Sequence, residues 1–163
     1  MTDIVMDLPA VTAFLYREAD FLDVADLDGW FGLYTEDATY WMPVSPQQTS
    51  PETEISIIYD DRLLMEIRRR NFGDEMAASM NYDVRCSHLI GNIRFATGDL
   101  PTDAHRVLSN FQAAVHYRGK TTFYAGRYTH DLIDTVDGLR IRHKRVDLLN
   151  CDSSELGSLI IYL

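Results

Sequence analysis

Four long strands between Arg85 and Leu149 constrain this chain more than any other feature. Residues 105–117 alternate, with Val107, Phe111, Ala113, Val115 and Tyr117 on one side and Arg106, Asn110, Gln112 and His116 on the other. That is the period of a strand with one buried face. Arg118-Gly119-Lys120 predicts a turn, after which Thr121–Tyr124 resumes strand chemistry. Asp137-Gly138 suits a tight hairpin because both positions tolerate φ > 0. Leu139, Ile141 and Val146 mark the last long strand, which is otherwise rich in Arg and Lys. An earlier strand, Leu89 to Phe95, precedes a Gly98–Asp103 loop. Strands this long exceed the usual length of about five or six residues. A sheet built from them must twist and curl, which leaves a concave face for the N-terminal half to fill.

That half reads as filler. Pro9 to Ala25 predicts an amphipathic helix, with Pro9 in the first turn where its missing N–H costs nothing. Val11, Phe14, Leu15, Ala19 and Leu22 form its apolar stripe, and Glu18, Asp20, Asp23 and Asp26 are placed outside most of it. A second, short helix follows, capped by Asp28 and crowded with Trp30, Phe31, Leu33 and Tyr34. Ala38 to Met42 predicts a short strand stopped by Pro43. Residues 43–56 are polar and proline-containing, a loop that is functional, a partner arm or disordered. Ile57 to Arg70 predicts a third helix, ending in Arg68-Arg69-Arg70 where the helix dipole favours positive charge. Residues 71–84 return to loop. Helices placed ahead of an antiparallel sheet give an α+β domain. If the sheet wraps the helices, the product is a cone with an apolar interior.

The chain has 163 residues, which predicts a single domain over 1–163. A net charge of −10 argues against nucleic acid or an anionic membrane surface as a partner. Two cysteines, Cys86 and Cys151, are too few for a disulfide framework. No apolar run reaches the roughly 18 residues of a membrane span, and no signal peptide is visible. The expectation is a soluble, cytoplasmic protein.

At this point the residues carry a family resemblance. Leu27-Asp28-Gly29-Trp30-Phe31-Gly32-Leu33-Tyr34-Thr35-Glu36-Asp37-Ala38-Thr39-Tyr40-Trp41-Met42-Pro43 resembles the opening signature of the small (β) subunit of bacterial aromatic-ring-hydroxylating dioxygenases. The stretch from Glu54 to Arg68 and Ser87-His88-Leu89-Ile90-Gly91-Asn92-Ile93 resemble the next two blocks. Gly126-Arg127-Tyr128, Leu139-Arg140-Ile141 and the tail from Cys151 to Leu163 fit the last ones. One departure is Arg85-Cys86-Ser87-His88, where many members have Ser-Arg-Thr-Arg-His. The resemblance implies a cone-shaped α+β barrel like nuclear transport factor 2, scytalone dehydratase and ketosteroid isomerase. It also implies a structural role beside a larger α subunit that carries a Rieske 2Fe-2S cluster and a mononuclear Fe(II), commonly as an α3β3 hexamer with β–β trimer contacts. A reductase, with or without a ferredoxin, would deliver electrons to that complex, and this chain would hold no cofactor.

Cys86-Ser87-His88 has the Cys-x-His spacing of half a Rieske site, but Cys151 is followed by Asp152, Ser153 and Ser154 rather than by a spaced His. The five histidines are scattered over the strands without a helical pair. No nucleophile elbow and no phosphate-cradling glycine loop occur. The alternative enzymatic reading is a stand-alone isomerase, dehydratase or cyclase that uses an interior acid or base, where burial shifts a pKa toward neutrality. Asp26, Asp37, Tyr40, His88 and His116 are the candidates. Their plainer readings are helix caps for the aspartates, a satisfied core hydroxyl for Tyr40 and cross-strand hydrogen bonds for the histidines. Arg68, Arg69 and Arg70, together with Arg140, Arg142, Lys144 and Arg145, are basic spots on an acidic chain. They read either as solvated surface or as inter-subunit ion-pair sites suited to the planar guanidinium.

Overall fold

The structure, a computed structural model, describes residues 6–78 and 83–163. The first five residues of the polar tail and residues 79–82 of the expected 71–84 loop lie outside these. The elements run α1 (Leu8–Asp23), α2 (Leu27–Phe31), β1 (Tyr34–Met42), β2 (Ile58–Asp61), α3 (Arg62–Ala78), β3 (Arg85–Phe95), β4 (His105–Tyr117), β5 (Lys120–Thr135) and β6 (Gly138–Leu148). The strands form one sheet in the order β2-β1-β6-β5-β4-β3. The pairs β3–β4, β4–β5, β5–β6 and β1–β2 are antiparallel, while β1 lies parallel to β6. That parallel pair lets the N-terminal strand join the far side of the C-terminal meander, with α1 and α2 folded into the hollow between.

The meander follows the alternation read from sequence. Val107, Ser109, Phe111, Ala113 and Val115 of β4 are buried, and their neighbours face outward. The β4–β5 turn places Arg118 at φ 51° and Gly119 at φ 75°, the left-handed pair that matches strand twist. At the β5–β6 hairpin only Gly138 takes positive φ, at 96°. Thr135 pairs with Gly138, so the turn residues are Val136 and Asp137 rather than the expected Asp137 and Gly138. Gly126 is required for a different reason: a Cβ there would lie 2.0 Å from the Asp147 carbonyl oxygen.

Three irregularities shape the sheet, and the first lies in the β1–β6 pair between Tyr34 and Thr39. Register slips between Gly91 and Arg94 of β3, where Asn92 takes φ 53°. It slips again in the β5–β6 pair, where Asp131 faces His143 but Leu132 faces Ile141. Arg142 is the extra residue, so the buried side chains of β6 change from Leu139 and Ile141 to Lys144, Val146 and Leu148.

Helix α1 fills the concave face. Asp7 caps it by accepting the Ala10 N–H at 2.8 Å, and its buried side is Val11, Phe14, Leu15, Glu18, Ala19 and Leu22. The chain then reverses through Ala25 at φ 54°. Asp26, rather than Asp28, caps α2 by accepting the Gly29 N–H at 2.9 Å.

Three boundaries differ from expectation. Tyr34 opens β1 instead of ending α2, because Ile141 pairs with this stretch across the sheet. Residues 58–61 form a strand on β1, with Tyr59 opposite Trp41, and helix α3 starts only after Asp61, whose carboxylate accepts the Leu64 N–H at 2.9 Å. Helix α3 continues to Ala78, so Arg68, Arg69 and Arg70 sit in mid-helix and the dipole argument for them fails. The 43–56 loop folds around buried Gln48. Its amide accepts from Val44 N–H at 3.0 Å and donates to the Glu54 carbonyl at 3.2 Å and to Ser56 Oγ at 3.1 Å.

Candidate functional site

The densest polar chemistry lies inside the cone, at a residue that the sequence reading had placed mostly outside the apolar stripe. Glu18 sits one turn from Phe14 and Leu15 and one turn before Leu22, which aims it at the sheet, and it is 1% exposed. Its Oε1 accepts from Lys144 Nζ at 2.7 Å, Trp30 Nε1 at 3.2 Å and the Tyr34 hydroxyl at 3.3 Å. Its Oε2 lies 2.8 Å from His130 Nε2. Burial alone would raise the Glu18 carboxyl, but Lys144 and His130 outweigh it and hold the group well below the usual carboxylate range. Burial lowers His130 despite the neighbouring carboxylate. A neutral ring protonated on Nε2 donates to Glu18 and leaves Nδ1 as the atom without a partner. Lys144 is also lowered by burial, against the pull of Glu18.

A second contact ties α1 to β3. His88 Nδ1 lies 2.6 Å from Asp23 Oδ1, and the His88 backbone N–H donates to Oδ2 of the same carboxylate at 3.3 Å. Burial lowers the His88 ring despite that bond. Next to it, burial and Asp23 push the Cys86 thiol up to about 11, which keeps it protonated and a poor metal ligand.

Of the five interior acid–base candidates, the structure places two inside. Tyr40 is fully buried, donating to the Leu163 carbonyl at 3.0 Å and accepting the Leu163 N–H at 3.2 Å. His88 is the other. Asp26 is an exposed cap. Asp37 stands on the outer face of β1, bonded to Thr35 and Arg142, which lower its carboxyl. His116 lies on the outward register of β4, 2.8 Å from Thr121 Oγ1. These three are corrections to an interior placement: a cap must face its helix end, and strand parity carries the other two outward.

The basic spots are met within the chain. Arg68 Nε lies 2.5 Å from buried Asp60. Arg69 pairs with Asp28, Arg70 with Glu66 one turn away, and Arg142 with both Asp37 and Asp103. Arg145 forks onto Asp147 at 2.8–2.9 Å and covers the Trp41 ring at 4.4 Å. Arg140 donates to the Leu139 carbonyl at 2.9 Å. Lys144 is no part of that surface, because the bulge at Arg142 turns it inward. Arg62, not singled out by sequence, lies 3.5 Å above the Phe31 ring and donates to the Phe31 and Tyr34 carbonyls at 2.9 and 3.1 Å.

Among the described residues no three His, Cys, Asp or Glu side chains gather in a way that would hold a metal ion. With His88 bonded to Asp23 and burial raising the Cys86 thiol, the Cys86-Ser87-His88 stretch does not fit half of a Rieske site. No helix among the described residues is long and apolar enough to cross a membrane.

A curved sheet wrapped on N-terminal helices, with the Glu18–Lys144–His130 cluster inside it, defines an α+β cone fold. Comparison narrows it. The family profile described as ring hydroxylating beta subunit matches residues 17–153, and the chain belongs to that family. It is 36% identical over 99 residues to benzoate 1,2-dioxygenase subunit beta of Acinetobacter baylyi, covering 58% of this chain and 59% of that protein. It is 37% identical over 89 residues to toluate 1,2-dioxygenase subunit beta of Pseudomonas putida, covering 52% and 55%. The chain thus spans somewhat over half the length of these two relatives. With the anthranilate 1,2-dioxygenase small subunit of A. baylyi it shares 31% identity over 146 residues, covering 86% and 88%. The crystal structure of the benzoate 1,2-dioxygenase beta subunit from Burkholderia mallei superimposes with a TM-score of 0.77 at 30% identity, covering 94% and 96%. A naphthalene 1,2-dioxygenase chain shares the fold at a TM-score of 0.79 and 14% identity, covering 100% of this chain and 88% of that one.

Proposed function

We propose that this chain, acting as one domain over residues 1–163, is the structural β subunit of the terminal oxygenase of an aromatic-ring-hydroxylating dioxygenase. The family match over residues 17–153 carries the reading. The assembly would insert both atoms of O2 into an aromatic ring, giving a cis-dihydrodiol or a diol, with electrons from NAD(P)H through a separate reductase, with or without a ferredoxin. The Rieske 2Fe-2S cluster and the mononuclear Fe(II) belong to the α subunit in this reading, and the complex is a cytoplasmic α3β3 hexamer.

Surface chemistry supports a scaffold. Leu89, Phe123 and Leu149 stand exposed on the outer side of the sheet, and Leu63, Leu64 and Ile67 are exposed on α3. Arg140, Arg142 and Arg145 lie further along β6 from the first set, and Arg68, Arg69 and Arg70 follow the second on α3. We place subunit contacts at these two surfaces, where a neighbour's carboxylates would share the guanidinium groups now paired within the chain. Obligate interfaces bury on the order of 2,000 Å² or more, which apolar patches of this kind help to supply. The stand-alone acid–base reading is the weaker one, because the family match covers residues 17–153 and the Tyr40 hydroxyl is bonded to Leu163.

Co-expression with a Rieske-type α subunit tests the assignment. Size exclusion with light scattering should give a stable α3β3 mass. A well-behaved monomer that ignores the α subunit would overturn it.

A further inference from the structure

Residues 156–163 lie outside the helices and strands of the structure, yet Ile161, Tyr162 and Leu163 are buried. Tyr162 reaches the wall of the cone. Its ring stacks on Trp30 with centroids 4.4 Å apart and planes 22° from parallel. It meets Tyr40 edge-on at 4.7 Å and 67°. Its hydroxyl donates to Asp60 Oδ2 at 2.7 Å, and Asp60 is itself buried and bonded to Arg68. The phenol side chain is therefore gripped on a ring face, on a ring edge and at its hydroxyl. The hydroxyl bond is charge-assisted, the stronger kind.

Two of the walls, Trp30 and Asp60, are held from behind, Asp60 by Arg68. The Trp30 indole N–H is fixed by Glu18, which Lys144 and His130 fix in turn. A wall pinned by buried hydrogen bonds keeps its shape when its occupant leaves. Beside the ring, a groove of about 240 Å³ lies between Leu27, Ile58, Arg68, Asn71 and Phe72 and the tail's own residues 159–162. The segment that carries Tyr162 can leave without breaking a sheet ladder, since its backbone is joined to the cone through the Tyr40 hydroxyl.

We propose that Trp30, Tyr40 and Asp60 form a binding box for a small phenol, and that Tyr162 occupies it as the chain's own ligand. The chemistry selects the class. The stacked indole takes a single aromatic ring, and Asp60 accepts from a hydroxyl donor on it. The inference concerns this chain's interior and stands apart from the assignment of its partners.

The test uses the full chain with Tyr162→Gly, which leaves a vacancy of p-cresol shape. Titrated with p-cresol, this variant should show a saturable rise in melting temperature. Toluene, lacking the hydroxyl, should bind roughly tenfold to a hundredfold more weakly. A folded Tyr162→Gly chain whose melting temperature p-cresol leaves unchanged overturns the proposal, as does equal binding of toluene. If the variant is unfolded alone, the titration is run as refolding, because a ligand of the folded state restores it by mass action. Recovery of the folded circular-dichroism signal with p-cresol supports the box. A chain that stays unfolded in p-cresol, while Tyr162→Phe folds normally, overturns it.

Discussion

Two sets of ion pairs use the same residue types and differ in surroundings. Inside the cone, Glu18, Lys144 and His130 are at most 1% exposed. On the outer sheet face, Arg142 bonds Asp37 and Asp103, with carboxylate side chains 61% and 64% exposed. Water solvates the outer groups whether or not they are paired, so their pairing contributes little to the fold and leaves them available to another subunit. The inner groups have no water to fall back on, so each one depends on the others. On the function proposed above, the inner set serves the fold and the outer set serves assembly.

Removing the shared inner acceptor is the severest way to test that contrast. Glu18→Leu strands Lys144 and His130 and frees the Trp30 and Tyr34 donors. It should cost about 3–5 kcal/mol of stability, read as a lowered urea midpoint. A variant as stable as the parent would show that the cluster is not coupled to folding.

Acid should discriminate next. Glu18 is held below its usual 4.5, so its contribution is present above that pH and fades as pH falls through its folded value. His130 and His88 are held below their usual 6.5, so the unfolded chain binds protons first and stability falls as pH drops below about 6.5. Both directions agree. Urea midpoints should decline from pH 7 to pH 5, and less steeply in His130→Gln. Identical slopes would remove His130 from the account.

The smallest stability effect belongs to the outer face. Arg140→Ala with Arg142→Ala should shift the melting temperature far less than Glu18→Leu and weaken assembly with α subunits more than it weakens the fold. Equal losses of both would erase the distinction between the two faces.

The alternation of β4 and the stripe of α1 made the cone readable, because each element buries one face and its period shows it. Glu18 goes against expectation: its spacing from Leu15 and Leu22 sets it on the stripe, while its charge argues for the outside. Lys144 was not readable, since the bulge at Arg142 inverts strand parity and leaves no mark in the alternation. The start of α3 was misjudged because Ile57 and Ile58 fit a helical stripe as well as a strand, and pairing with β1 decides between them. Its end was misjudged because Asn71 and Gly73 are weak helix formers but not breakers. Partners such as Asp60 for Tyr162 or Asp23 for His88 join residues far apart in the chain, and no local pattern records them.

The central claim is that this chain scaffolds and does not catalyse. Turnover per iron of the assembled oxygenase, measured with His88→Gln and with His130→Gln, tests it most directly. The account predicts values close to the parent complex wherever the α3β3 mass is retained. A fall of about 10²–10⁴-fold per iron in an intact complex, the size expected for loss of a general acid or base, would contradict it.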